Sequence, residues 1–193
     1  MGFQYHHLED ADVRQTMVEL WSAEWEDMHS SGHPRDCYGK QLTDEGWENY
    51  GSVMPVALSE KDDDWLRAEM ADPAFWMPKY PRRKPKGGFT MVEYNKRDAL
   101  ERLCFGEFNI AYIRGLATTL LVRGETECIV YRADLAYEPR GECSEWEGEQ
   151  FPLQDVVDGH RIRYWPLGQG QPGAFSIPTG PNCHHSIHAV GVA

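Results

Sequence analysis

The stretch from residue 95 to about 123 constrains this chain more than any other, because its apolar residues return at steps of three and four along its length. Leu100, Leu103, Cys104, Phe108, Ala111, Tyr112, Leu116 and Leu120 fall on one side of a helix that starts at Asn95 or Asp98 and stops at Gly124. A long helix with one apolar face must be covered, so the chain has to supply a sheet or further helices to lie on it. The residues around it read mostly as short strands. Segments 89–94, 126–133, 161–165, 174–177 and 186–190 are rich in β-formers such as Ile129, Val130 and Tyr131, and Gly and Pro turns separate them. Residues 152–158 fit a short helix ended by Gly159. The expectation is an α+β fold: one long helix packed on a small, mainly antiparallel sheet, with an N-terminal helical and extended-arm region.

That N-terminal region begins with a helix over 10–28, where Val13, Met17, Leu20, Trp21, Trp25 and Met28 form one stripe and Asp10 or Asp12 caps the start. Residues 37–56 show no sustained period; Gly39, Gly46, Gly51 and Pro55 are interleaved with Trp47, Tyr50 and Met54. Ser59 is placed to cap a short helix with Asp62, Asp63 and Asp64 in its first turn. Pro73, Pro78, Pro81 and Pro85 then restrict the backbone to an extended, stiff arm that ends at Gly87-Gly88. The arm carries Phe75, Trp76, Met77 and Tyr80, followed by Arg82, Arg83, Lys84 and Lys86. Residues 1–88 thus read as helices and arm, and 89–193 as a compact α+β core, all within one domain.

Composition narrows the function classes. The chain has 193 residues, 41% of them hydrophobic, with seven tryptophans, enough to build one core. Its 31 acidic and 19 basic residues leave a net charge of −12, which repels nucleic-acid backbones and anionic membranes and favours basic partners. The first twelve residues lack the basic-then-apolar order of a secretory signal. The longest apolar stretch, 108–122, is broken by Arg114 and is too short to span a bilayer. The expected compartment is the cytosol of the producing cell. Five cysteines, odd in number and without a C-x-x-C pair, read as free thiols, with one or two disulfides as the alternative.

Two groups of residues could carry chemistry. Cys183, His184 and His188 are zinc-ligand types, although on a strand the two histidines would stand roughly 13 Å apart, too far to share an ion unaided. The run from Cys128 to Arg132, together with Glu145-Trp146-Glu147, resembles fragments of the ADP-ribosyltransferase family. That resemblance implies NAD as cofactor, with Arg132 contacting the dinucleotide, Ser176 in the middle role and Glu147 as the catalytic carboxylate. The order departs from the family, which expects the serine before the glutamate. A plain ion pair between Arg132 and a nearby carboxylate is the simpler reading.

A second resemblance covers more of the chain. Phe108-Asn109, Tyr112, Arg114-Gly115-Leu116, the run 130–133, Pro139-Arg140, Glu147-Gly148 and the run 178–182 are similar to small proteins of tailed phages and prophages. The resemblance implies a structural or assembly role in a virion, made in the host cytoplasm and exercised by binding other protein subunits. On that reading Trp47, Tyr50, Phe75, Trp76, Tyr80, Arg82 and Arg83 are the expected interface, in a homo- or hetero-oligomeric assembly, with no metal, cofactor or membrane involved.

Overall fold

The computed structural model of the chain describes residues 3–30, 41–84, 86–93, 95, 99–134, 146–159 and 184–191. Helix α1 (Ala11–Ser30) follows the expected stripe, burying Val13, Met17, Trp21 and Met28. Asp10 caps it, its carboxylate accepting the Asp12 amide at 3.1 Å. The same stripe holds Glu24, an acid at a core position. Its cation is Arg114, whose Nη1 donates to Glu24 Oε2 at 2.5 Å. The charge that interrupts the long helix is therefore matched from another helix, and such a pair is costly to break once buried.

The long helix opens with a π-helical turn (Glu101–Gly106) that runs directly into α4 (Glu107–Val122). Phe108, Tyr112, Ile113 and Leu116 of α4 are fully buried. Helix α1 lies against α4 more extensively than any other two elements lie together. Gly115 permits that approach, since a Cβ there would stand 2.4 Å from Met17 Cγ and 3.0 Å from the Met17 amide nitrogen.

Two parts of the N-terminal half differ from the sequence expectation. Residues expected to be irregular form α2 (Asp44–Glu60), capped by Thr43, whose hydroxyl accepts the Gly46 amide at 3.1 Å. Its helix-weakening residues are used for contact. A Cβ on Gly46 would lie 2.2 Å from the Phe75 carbonyl oxygen, and one on Gly51 would lie 2.5 Å from the Trp25 ring. Pro55 sits inside the helix. The next helix, α3 (Asp63–Glu69), is capped by Asp62, which accepts the Trp65 amide at 2.7 Å, and Ser59 lies within α2 instead.

The expected stiff arm is a turn followed by half of a hairpin. A 3₁₀ turn (Pro73–Phe75) docks on α2, and then β1 (Lys79–Arg83) pairs antiparallel with β2 (Phe89–Glu93). Gly87 and Gly88 have φ of 89° and 76°, the left-handed backbone that such a tight reversal requires and that glycine adopts without strain.

The remaining described strands form one antiparallel sheet of order β4-β3-β5, from β3 (Glu127–Arg132), β4 (Gln150–Pro152) and β5 (His185–Ala189). Cys128, Val130 and Ile187 turn towards the helices and join a core that draws on residues from both halves of the chain. The short helix α5 (Leu153–Gly159) lies against α4. Cys104 and Cys128 are free, buried thiols, and burial pushes the Cys128 thiol up to about 12. The fold is α+β, with the long helix and the N-terminal helices in place. The strands expected at 161–165 and 174–177 lie outside the described residues.

Candidate functional site

The cross-strand register of β3 and β5 sets Arg132 opposite His185. Directly opposed residues share a face, and Glu147 enters between them. The Arg132 guanidinium donates to Glu147 Oε1, and His185 Nε2 lies 3.0 Å from the same oxygen. Burial works to raise the Glu147 carboxyl, but the bonds from His185 and Arg132 outweigh it and hold the group below the ordinary carboxylate range. The turn that carries Glu147 is itself tied to β3, through Gly148 N to Val130 O at 2.8 Å and Val130 N to Glu149 O at 3.1 Å. Arg132 and Glu147 thus meet in a mutual ion pair, the simpler reading of the arginine. That pairing anchors the 146–149 turn to the sheet. Ser176, assigned the middle role, lies outside the described residues.

The two candidate zinc ligands in view turn to different neighbours. His184 stacks on Phe3, with ring centroids 5.8 Å apart, and its Nδ1 is 3.7 Å from Asp134 Oδ2. His188 is buried beside His6 and Tyr131, at 5.2 and 5.3 Å between ring centroids. Among the described residues no group of three or more His, Cys, Asp or Glu is placed to hold a metal ion. Cys183 lies outside them.

The sequence reading missed what brings these histidines into place, the segment from Phe3 to Leu8. It ties together four distant parts of the chain. Phe3 N donates to Asp63 Oδ2 at 3.0 Å, Gln4 N to Ala133 O at 2.9 Å, and His7 N to Tyr112 Oη at 3.2 Å. The Tyr131 hydroxyl donates to Gln4 O, and the Ala189 amide donates to His7 Nε2 at 3.2 Å. Burial pushes the Asp63 carboxyl up to about 6, only partly offset by the Phe3 amide. The signal available in sequence was the alternation Phe3-Gln4-Tyr5, which is strand-like, but it is too short to read alone.

The residues expected at a subunit interface divide. Trp47, Tyr50 and Trp76 are buried in the chain's own core, which corrects the expectation that an exposed arm carries them. Trp47 stacks on Trp25 at 4.4 Å, and Trp76 Nε1 donates to Met70 O at 2.8 Å. Phe75 is half-buried against the same core. The physical reason is α2: once residues 44–60 are helical, their aromatics face α1 and have no need of a second chain. Tyr80, Arg82 and Arg83 lie instead in β1, where Tyr80 is half-buried and Arg82 exposed.

The hairpin built on β1 is the part of the described chain with least cover. β1 and β2 approach each other closely and no other element to a comparable extent. Phe89 and Met91, two residues apart and so on one face, are 69% and 60% exposed. Lys79 and Glu93 pair across its base at 3.9 Å. No helix among the described residues is long and apolar enough to cross a membrane. No protein-family model, curated protein or solved structure matches the chain.

Proposed function

We propose that the protein acts by binding other protein subunits, as a structural or assembly component of a tailed-phage head, neck or tail. The observation that carries the binding role is the β1–β2 hairpin, which presents Phe89 and Met91 to solvent from a pair of strands that the body scarcely touches. A two-stranded hairpin is marginal in water without something to lie on, and exposed aromatic and methionine side chains are the groups that protein interfaces favour. The virion setting rests on the sequence resemblance alone. A photo-crosslinking residue at Met91, introduced in the native host, tests the role. A discrete protein adduct is expected there and not from Val122, which is 84% exposed on α4. No adduct at Met91 overturns the reading.

A second reading is NAD binding at Arg132 and Glu147, favoured by the one fact that those two side chains meet. It requires a calorimetric NAD signal that disappears in Arg132→Ala; absence of the signal in the unmodified protein discards it.

A further inference from the structure

Charge is unevenly distributed along this sequence. From Lys79 to Glu93 the hairpin has five basic side chains and one acidic, so it contributes +4 to a chain at −12 and leaves the rest at −16. Helices α1 and α2 contain a single arginine and no lysine. That arginine, Arg14, is turned inwards: its guanidinium donates to the carbonyl oxygens of Leu8, Leu58 and Lys61 at 2.6, 3.0 and 2.9 Å. Among the described residues, the outward sides of the two helices therefore display carboxylates for which the helices themselves supply no outward Lys or Arg, among them Glu19, Glu26, Glu45 and Glu48, all exposed. Val56, 38% exposed on α2, adds an apolar contact to that surface.

We infer that the basic hairpin of one molecule docks on the acidic outward face of α1 and α2 of a second copy of the same chain. This deepens the subunit-binding reading and rests on it. Charge complementarity selects the occupant: a hairpin with Arg82, Lys84 and Lys86 around Phe89 and Met91 needs an acidic protein surface, and each copy carries one. The two surfaces are different parts of one chain, so the contact is head-to-tail and either closes into a ring or propagates. Between exposed charges the attraction is screened within about 10 Å at ~0.1 M salt, so assembly must weaken as salt rises.

Sedimentation velocity of the purified full chain, with charge reversal on each surface, provides the test. The unmodified protein is expected to associate at ~20 mM salt and to lose at least about tenfold in affinity at ~500 mM. Arg82→Glu with Lys84→Glu and Lys86→Glu is expected to be monomeric. So is Glu19→Lys with Glu26→Lys, Glu45→Lys and Glu48→Lys. All of these positions are exposed, and unchanged circular dichroism checks that both variants fold. An equimolar mixture of the two should assemble again, because each reversed surface finds its complement on the other variant. A monomeric unmodified protein at low salt, a variant that still associates, or a mixture that stays monomeric overturns the inference. If the protein is monomeric while Met91 crosslinks to a different protein in the host, docking of a second copy falls and the subunit-binding reading stands. If Met91 crosslinks to nothing, both fall.

Discussion

The α1–α4 layer and the β1–β2 hairpin spend apolar side chains in opposite ways. In the layer, Phe108, Tyr112, Leu116 and Met17 lose all contact with solvent, and even an acid, Glu24, is buried against a matched arginine. In the hairpin, Phe89 and Met91 stay largely in water. The contrast separates two uses of one residue class. Burial within the chain stabilises the fold, at about 25 cal/mol for each Å² of apolar surface removed from water. Exposure on a poorly supported hairpin contributes little to the fold and leaves that free energy to be released on contact with another molecule.

The largest expected effect breaks the layer. Phe108→Ala removes a fully buried ring and should cost about 3–5 kcal/mol in urea unfolding. Asp63→Asn should move the other way. The native state holds the Asp63 proton more tightly than the unfolded chain, because burial lifts the carboxyl from 3.8 to about 6. Stability contributed by this group therefore falls as pH rises through that interval and stays low above it. Asparagine keeps an acceptor for the Phe3 amide without the charge, so it should gain up to about 3 kcal/mol at pH 7 and flatten the pH profile between about 4 and 6. Gly115→Ala pushes α1 off α4 at Met17 and should lose about 1–2 kcal/mol, the clash exceeding the helix preference of alanine. The smallest effect sharpens the contrast most. Phe89→Ser with Met91→Ser should change unfolding by no more than about 0.5 kcal/mol while abolishing the Met91-face contact seen by sedimentation. A large loss of stability in that variant would show the hairpin to be part of the body.

Period was legible where an element meets the core along one side. The stripes of α1 and α4 and the β-formers of β3 and β5 gave their elements to within a few residues. Helix α2 was not legible because Gly46 and Gly51 weaken a local helix reading, and their reason is tertiary: each makes room for an atom of a distant segment, the Phe75 carbonyl or the Trp25 ring. Strand β1 was hidden by Pro78 and Pro81, which read as a stiff arm until β2 supplies a partner. At the sheet, Arg132 and Glu147 were found from short fragments, but His185, which completes the cluster, was recognisable only once the register placed it opposite Arg132. The Arg114–Glu24 pair was half visible: a charge in an apolar run announces a buried partner but not which of 31 carboxylates it is.

The Ala189 amide donates to His7 Nε2, so that nitrogen must keep its lone pair for the contact to exist. A proton and a backbone amide therefore compete for one pair of electrons. Burial weights the contest against the proton, as do His6, His188 and Arg123, while Asp10 pulls the other way. The imidazole is held below its ordinary range, so the contact is intact above about 6.5 and is lost as acid titrates the ring. Hydrogen exchange at the Ala189 amide should accelerate as pH falls below that point, after correction for the intrinsic rate, and should stay slow in Asp63→Asn at pH 7. The segment from Phe3 to Leu8 acts as a clasp with several catches, and acidity releases the one at His7.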